Sequence, residues 1–191
     1  MLQFLWNGCQ LYGENGLYVS FEPDILEVFK DALSFGWDFS KLDATNKCKM
    51  IRMSPKISQK EVSSELMDMV SKYDIKRVCF DPVTVFAMHI EKESEIRERV
   101  FELASLLKRL NVTVILSDED ASDSVNMITA SEITRTNALK FTADSVSTLY
   151  SSGLGGVSDR AARIIKMRRT NHIRGPVPLE ITNAGIKVTN Q

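Results

Sequence analysis

The sequence predicts an α/β fold, with a mostly parallel sheet, helices on both of its faces and antiparallel hairpins at the C-terminal end. Between residues 17 and 116, short β-rich runs alternate with segments whose apolar residues repeat at helical spacing. This β-α-β-α-β-α-β order is typical of a parallel sheet. Beyond residue 119, three strand-like runs follow with no helical crossover between them, so this end is predicted to be antiparallel.

The chain enters the sheet through a short β-rich run at residues 17–22, LYVSFE. Pro23 then stands in the first turn of a predicted helix that closes at Gly36. The apolar face of this helix is predicted to consist of Ile25, Phe29 and Leu33. The next predicted strand is Cys48–Met53, in which charged and apolar residues alternate.

Two helices and two strands complete the parallel region. Ser58 and Glu61 have the spacing of a capping box, and the helix after them has an apolar face of Val62, Leu66, Met69 and Tyr73. Arg77–Phe80 is predicted as a buried strand that ends at Asp81. A long amphipathic helix follows, and its apolar stripe is Ile96, Val100, Leu103, Leu107 and Leu110. Val112–Leu116 is predicted as a fully buried strand.

The last third of the chain has a different character. Residues 119–137 are polar and predict a loop or a short helix. The predicted strands beyond them are Ser145–Tyr150, Ala162–Met167, Pro178–Ile181 and Ile186–Val188, the last two joined by a turn that ends at Gly185. With no internal repeat, low-complexity tract or linker in the pattern, we predict a single domain over residues 1–191.

The composition is that of an ordinary soluble globular domain. There are 24 Lys and Arg against 25 Asp and Glu, a formal net charge of −1, which gives no electrostatic case for bulk binding to nucleic acid or membranes. The sequence contains no run of about 18 apolar residues and no secretory signal. The three cysteines lack metal-binding spacing. We therefore expect a cytoplasmic protein with reduced thiols, in which Cys79 is a core residue.

Acidic residues end several of the predicted strands. Ligands of parallel α/β sheets bind outside the carboxyl ends of the strands, which nominates Glu22, Asp81 and either Asp118 or Glu119. Acids gathered at one edge would suit a divalent metal with a polyphosphate, or the activation of a water molecule. The alternative is that these residues are polar only because strands end at the protein surface.

A second group is cationic. Lys166, Arg168, Arg169 and His172 follow one another at the end of a predicted strand. Arg offers a fork of donors and Lys a point charge, so the group could bind a phosphate. It could equally be a solvated basic turn that balances nearby acids. The sequence holds no GxxxxGK[ST] phosphate-binding loop, no HExxH and no nucleophile elbow.

Taken in order, these segments resemble the KaiC-like branch of the RecA superfamily of P-loop ATPases. The N-terminal segments that carry the resemblance are LQFLWNG (2–8), GLYVSFE (16–22), SFGWD (34–38) and RVCFD (77–81). They resemble, respectively, the helix after the Walker A lysine, the strand with the catalytic acid, a family hallmark and the Walker B strand. The C-terminal hairpins match at residues 143–146, 165–172 and 179–188. The resemblance covers nearly the whole chain.

The resemblance implies a RecA-like fold with ATP and Mg²⁺ as cofactors, in a ring of subunits. Glu22 would be the base that polarises water for attack on the γ-phosphate, and Asp81 would hold Mg²⁺ through water. Lys166, Arg168 and His172 would reach the nucleotide bound by the neighbouring subunit and act like arginine fingers. This reverses the interpretation of the basic group as a solvated turn.

The sequence departs from the family pattern at several places. Pro23 stands where a second acid is common, Pro82 where a small hydroxyl residue often follows the Walker B acid, and Arg169 where a glycine is usual. The Walker A loop and its strand do not occur in residues 1–191. Without that loop the nest of backbone N–H groups for the phosphates is lacking, and Val112–Leu116 is expected to have unpaired backbone groups. We therefore expect these residues by themselves to hydrolyse ATP poorly. Either a longer natural chain exists, or this is a diverged relative whose sheet has closed differently.

Two further hypotheses remain open. The chain could be a non-catalytic partner that forms a hetero-oligomer with intact ring ATPases and presents Lys166, Arg168 and His172 to their nucleotide. A homo-oligomer is the expectation under the first hypothesis. A DNA-associated, recombinase-like role gains little from the balance of charges.

Overall fold

Four parallel strands organise the first part of the chain in the computed structural model, which describes residues 1–21, 24–84, 90, 92–118, 130–151 and 159–189. They are β1 (Asn15–Ser20), β2 (Cys48–Arg52), β3 (Ile75–Asp81) and β4 (Thr113–Leu116). Their order in the sheet is β2-β1-β3-β4, and all three pairings are parallel. The chain forms two compact units, Met1–Phe141, which contains this sheet, and Thr142–Gln191. The single domain over residues 1–191 stays a prediction.

Six α-helices are described along the chain. They are α1 (Leu2–Asn7), which continues into a π-helix (Gly8–Tyr12), α2 (Ile25–Leu33), α3 (Phe39–Ala44), α4 (Gln59–Tyr73), α5 (Glu93–Arg109) and α6 (Ala130–Thr142). The predicted capping box begins α4: the Glu61 N–H donates to the Ser58 hydroxyl, and the Ser58 N–H donates to the Glu61 carboxylate at 2.9 Å. This satisfies two backbone donors that the first turn of a helix otherwise leaves unpaired.

Helices cover both faces of the parallel sheet, as predicted. Alternate residues of a strand point to opposite faces, so the sheet has two separate cores. Leu17, Val19 and Phe80 pack with the buried residues of α4 and α5, which include Leu66 and Leu103. The opposite face packs with residues of α1, α2 and α3, and its core is Leu5, Tyr18, Val28, Ala32, Trp37, Phe39, Leu42, Cys48, Met50 and Cys79. The prediction that Cys79 is a core residue is confirmed, since its side chain is fully buried.

Arg77 fastens the N-terminal helices to β3. Its Nε donates to a Glu14 carboxylate oxygen at 2.5 Å, and its Nη1 donates to the Phe4 carbonyl oxygen at 2.8 Å. The guanidinium also lies over the rings of Phe4 and Tyr12, at 4.5 and 5.1 Å from their centroids. A Cβ atom at Gly8 would lie 2.5 Å from Arg77 Cδ. Glycine at position 8 therefore makes the space in which this arginine lies.

The structure corrects the predicted face of α2. Val28 and Ala32 are its buried residues, whereas Leu33 is 59% exposed. Ile25 and Phe29 are partly buried against the same core. Because α2 is short, the predicted stripe and the buried stripe each consist of only two or three apolar residues, and they overlap on the helix surface. The stripe that was predicted is turned partly away from the core.

The structure also corrects one prediction and decides between two alternatives in the second half of the N-terminal unit. β4 is not fully buried: among the described strands it lies at an edge of the sheet, paired with β3 alone, and Thr113 is exposed. The predicted loop or short helix at 119–137 falls partly outside the described residues, and from Ala130 the chain forms a helix of 13 residues. The short helix that the sequence analysis allowed here is therefore present, and it continues past residue 137 to Thr142.

Four antiparallel strands form the C-terminal unit, as predicted. They are β5 (Ser145–Ser151), β6 (Arg160–Met167), β7 (Val177–Thr182) and β8 (Gly185–Val188), and they follow this order in the sheet. β7 and β8 are joined by a tight turn that ends at Gly185, where a φ of +116° favours glycine. Among the described residues, none of the helices is both long and apolar enough to cross a membrane.

Candidate functional site

The carboxyl end of β3 carries a carboxylate that two neighbouring strands hold in place. Asp81 is the last residue of β3, and its Oδ2 accepts a hydrogen bond of 2.5 Å from the hydroxyl of Tyr18 on β1. Its Oδ1 accepts a hydrogen bond of 2.7 Å from the hydroxyl of Ser117, which directly follows β4. The position of the carboxylate is therefore fixed from three strands of the parallel sheet, at the edge where ligands of such sheets bind.

Tyr18 is a buried partner of this carboxylate. Its side chain is only 2% exposed, so the hydroxyl needs a hydrogen-bond acceptor inside the protein. Burial, and next the hydrogen bond to Asp81, raise the pKa of Tyr18 far above its usual range. Tyr18 is therefore a constant hydrogen-bond donor to Asp81 at every physiological pH.

Backbone hydrogen bonds hold the ends of the same strands together. The Ser117 N–H donates to the Phe80 carbonyl at 3.1 Å, and the Val83 N–H donates to the Ser117 carbonyl at 2.9 Å. On the other side of β3, the Phe21 N–H donates to the Asp81 carbonyl at 3.1 Å. Glu22, the predicted base, is the next residue of the chain and lies outside the described residues.

Asp118 has a different set of partners. Its Oδ1 accepts from the hydroxyl of Thr84 at 2.8 Å, and its Oδ2 accepts from the hydroxyl of Thr136 on α6 at 3.0 Å. This carboxylate thus links the segment after β3 and the helix α6 to the end of β4. The other acid nominated at this position, Glu119, lies outside the described residues.

The predicted cationic residues lie in the C-terminal unit. Lys166 is a partly buried residue of β6 and stands opposite Val146 of β5. Arg168 follows the strand: its N–H donates to the Asp144 carbonyl at 2.8 Å, and its Nη1 pairs with the Asp144 carboxylate at 3.2 Å. His172 lies in the connection to β7, with Nδ1 at 3.0 Å from the Ile173 carbonyl oxygen.

The two predicted groups thus lie in different units of the chain. Around Asp81 the structure brings together two hydroxyl groups that the sequence analysis did not nominate. The signal for Tyr18 was present, because a tyrosine inside a buried strand needs a partner for its hydroxyl group. The signal for Ser117 was weaker, since it was only one of three polar residues after β4.

The amino-acid sequence of this chain is similar to known proteins over nearly its whole length. The family model described as "ATPase: KaiC" matches residues 1–191. The chain is also 32% identical to the circadian clock oscillator protein KaiC of Parathermosynechococcus lividus and 31% identical to that of Synechococcus elongatus. In each comparison the alignment covers 98% of this chain.

The chain belongs to the KaiC ATPase family. It spans 35% of the length of the P. lividus protein and 37% of the S. elongatus protein. A third relative, KaiC 1 of Synechocystis sp., is 30% identical and has the same share covered, 37%. The resemblance on which the sequence analysis rested is therefore confirmed, and so is the α/β fold that it implied.

Arg169, one of the departures from the family pattern noted in the sequence, has an unusual backbone conformation. Arg169, which stands where the family pattern has a glycine, adopts a φ of +60°. This left-handed conformation costs most residues about 1–2 kcal/mol relative to glycine. The backbone of this turn thus has the conformation that favours glycine, although an arginine occupies it.

The side chains around Asp81 are of a kind that suits Mg²⁺. This ion prefers oxygen ligands and keeps several of its waters, so one or two carboxylates are often its only protein ligands. A carboxylate has about four sites for hydrogen bonds or ligands, and the hydroxyl groups of Tyr18 and Ser117 use two of them at Asp81. The donor set is compatible with a hydrated magnesium ion.

Proposed function

We propose that this chain takes part in the binding and hydrolysis of ATP between subunits of an oligomer. In this proposal Asp81 holds Mg²⁺ through water, and Glu22 polarises the water that attacks the γ-phosphate. The observation that carries it is the Asp81 carboxylate, oriented by Tyr18 and Ser117 at the carboxyl edge of a parallel sheet, in a chain of the KaiC ATPase family.

Lys166, Arg168 and His172 are proposed to act on the nucleotide of a neighbouring subunit. Residues 142–191 contain seven Lys and Arg against three Asp and Glu, so this part of the chain is positive although the whole chain is not. A guanidinium group has five N–H donors, so Arg168 can keep its contact with Asp144 and still donate to a phosphate. Cations at this position stabilise the charge of a phosphoryl group in the transition state.

For a polypeptide made of these residues alone, the proposal includes weak hydrolysis. Residues 1–191 hold no GxxxxGK[ST] sequence, and such loops supply the backbone N–H groups and the lysine that bind the β- and γ-phosphates. Steady-state turnover of the purified 191-residue polypeptide, measured with and without Mg²⁺, tests this part. Turnover of about 1 s⁻¹ or faster, within the ordinary range for enzymes, would contradict it.

A second candidate function is that of a non-catalytic partner in a hetero-oligomer with intact KaiC-type subunits. It is favoured by the excess of cations in residues 142–191, which include Lys166 and Arg168. Such a partner would supply Lys166, Arg168 and His172 to the nucleotide of its neighbour and would need neither Glu22 nor Asp81.

Mixing experiments with an intact KaiC-type ATPase separate the two functions. In both, Arg168→Ala should lower the turnover of the mixture at least tenfold, as expected for loss of an arginine that contacts the phosphoryl group. Arg160→Ala is the matched control, because Arg160 begins β6 and Arg168 follows its other end. Asp81→Asn should lower turnover in the first case and leave it unchanged in the second. If Arg168→Ala and Arg160→Ala behave alike, both candidate functions are wrong.

A further inference from the structure

Two of the three cysteines of the N-terminal unit lie in contact. Cys9 is in the π-helix Gly8–Tyr12 and packs against the apolar core that contains Cys48, the first residue of β2, close enough for the Cys48 side chain to act on the Cys9 thiol. In its protonated form the Cys9 thiol also donates to the Lys47 carbonyl oxygen at 3.2 Å. Both thiols are free. Residues 39 positions apart in sequence thus bring two sulfur atoms together across the start of the sheet.

The surroundings of the two thiols differ. Cys9 is half-buried and Cys48 is completely buried, so a reagent from solvent reaches Cys9 first. The hydrogen bond from Cys48 lowers the pKa of Cys9 although burial opposes it, and the nearby cations of Arg77 and Lys47 lower it further. The same hydrogen bond, together with burial, raises the pKa of Cys48. Cys9 is therefore the thiol that ionises more readily, and Cys48 is the thiol that stays protonated.

Backbone packing keeps the Cys48 thiol beside the π-helix. Gly16 of β1 is paired with Cys48, and a Cβ atom at Gly16 would lie 2.9 Å from the sulfur of Cys48. Since glycine at this position leaves room for the sulfur, the Cys48 side chain lies against β1, and the carbonyl of the preceding residue, Lys47, contacts Cys9 of the π-helix. The Gly16 N–H also donates to the Lys47 carbonyl at 2.9 Å, the same oxygen that Cys9 contacts.

We propose that Cys9 and Cys48 are a reversible redox pair, in which hydrogen peroxide oxidises the two thiols to a disulfide that fastens the π-helix to β2. The Cys9 thiolate attacks one oxygen of the peroxide, the O–O bond breaks, and a sulfenic acid and hydroxide form. Cys48 then loses its proton and its sulfur attacks the Cys9 sulfur, which releases the second hydroxide. The two thiol protons convert both hydroxides to water, so two thiols and one peroxide give one disulfide and two waters.

Cys79 is the internal control for this pair. It is fully buried, and burial raises its pKa to about 12. Its sulfur lies 3.9 Å from the Met1 carbonyl oxygen, a weak contact. It is therefore expected to remain a thiol while Cys9 and Cys48 are oxidised.

The test uses the complete 191-residue chain, reduced and then exposed to hydrogen peroxide. The expected result is the loss of two of the three thiols, a mass decrease of about 2 Da for the two hydrogen atoms, and a linked Cys9–Cys48 peptide in a map made without reductant. Dithiothreitol should restore all thiols. The Cys79→Ser chain should give the same linked peptide, and the Cys9→Ser chain should keep both of its thiols.

Two outcomes would overturn the proposal. One is a peptide map of the unsubstituted chain in which Cys9 becomes sulfinic acid while Cys48 stays reduced. The other is a linkage formed only between chains, visible as a dimer on a gel without reductant. As a second measurement, Cys9 in the folded chain should reach half-maximal alkylation by iodoacetamide at a lower pH than in the chain unfolded by guanidinium. An equal or higher pH would remove the proposed role of Cys9 as the attacking thiolate.

Discussion

The parallel sheet of Met1–Phe141 and the antiparallel sheet of Thr142–Gln191 are stabilised in different ways. Strand β1 is buried along nearly its whole length, β3 is buried at Ile75 and at residues 78–80, and the two strands have a core on each face. In the C-terminal unit, Pro178 and Gly185 are the fully buried residues among those described, and large apolar side chains such as Leu149 and Ile173 are exposed. The first unit is thus stabilised mainly by apolar packing and the second mainly by its backbone ladder.

The charges divide in the same manner. Residues 142–191 carry an excess of cations, and the remaining 141 residues carry 17 Lys and Arg against 22 Asp and Glu. The formal net charge of −1 is therefore the sum of a negative N-terminal part and a positive C-terminal part. A positive part with little core is suited to meet an anion, whereas the negative part supplies the buried framework that positions Asp81.

The difference in packing between the two units is tested most directly by replacing one leucine with alanine in each unit. Leu66→Ala removes a fully buried side chain of α4, whereas Leu149→Ala removes one that is 68% exposed on β5. We expect the first to lower the free energy of unfolding by about 2–5 kcal/mol and the second to change it by less than about 0.5 kcal/mol. Urea denaturation followed by the fluorescence of Trp6 and Trp37, the only tryptophans, measures the first effect, because both lie in the first unit. Amide hydrogen exchange of residues 145–151 measures the second. Equal effects would contradict the proposed difference in packing.

A second test compares two arginine–carboxylate pairs. Arg77 pairs with Glu14 and its side chain is 14% exposed, whereas Arg168 pairs with Asp144 and its side chain is 44% exposed. We expect Arg77→Ala to cost about 1–3 kcal/mol, since it leaves the part-buried Phe4 carbonyl oxygen without its donor, whereas Glu14 is exposed enough to be solvated. Arg168→Ala should cost about 0–1 kcal/mol. Urea denaturation gives the first value, and amide hydrogen exchange of residues 160–175 gives the second.

The sequence predicted the N-terminal sheet well where one local pattern decided the outcome. The capping box at Ser58 and Glu61 fixed the start of α4, and the long stripe from Ile96 predicted α5, because each depends on neighbouring residues only. The edge position of β4 could not be read from its apolar residues, since burial of a strand depends on which strands lie beside it. For the same reason the partners of Asp81 emerged only once β1, β3 and β4 were side by side.

A third test compares hydroxyl groups that hold a local turn. Ser58 caps α4 in the N-terminal unit, and Thr182 donates to the Gly185 carbonyl at 2.8 Å in the β7–β8 turn. Ser58→Ala should lower the free energy of unfolding by about 1 kcal/mol. Thr182→Val should cost about 0.5 kcal/mol, because its hydrogen bond is only partly buried and water can reach the acceptor. A larger effect at Thr182, measured by hydrogen exchange of β7 and β8, would show that the second unit depends on its turns more than the first.

Acid should remove part of the effect at Ser58. The hydrogen bonds from the Ser58 hydroxyl and backbone N–H lower the pKa of Glu61. A carboxyl group whose pKa is lowered on folding stabilises the protein above its unfolded pKa and loses this contribution as the pH falls through its folded pKa. The difference between the natural chain and Ser58→Ala should therefore shrink below about pH 4, near the ordinary pKa of Glu. Urea denaturation at pH 7 and pH 3.5 measures the change. Ser40→Ala, at the exposed start of α3, is not a suitable control, because the Ser40 hydroxyl also donates to a carboxylate, that of Asp38.

The smallest expected effect concerns backbone conformation. In the N-terminal unit, left-handed positions are occupied by Asn46, Asp74 and Asn111, residue types that tolerate this conformation, whereas the C-terminal unit has Arg169 there. Arg169→Gly should stabilise its turn by about 0.5–1 kcal/mol. Asn111→Gly should change stability by only a few tenths of a kcal/mol. Hydrogen exchange of residues 160–175 measures the first, and no gain in protection there would contradict the assignment of strain to Arg169.

The space that Gly8 leaves for Arg77 has a consequence for how these two positions can vary together. A Cβ atom at position 8 would meet the flexible side chain of Arg77 and shift its guanidinium from Glu14 and Phe4, so we expect the two positions to vary together. Among natural homologues, an alanine or serine at position 8 should therefore be accompanied by the loss of the arginine. Compensation of this kind would allow the sequence of the N-terminal helices to change while their packing against β3 is preserved.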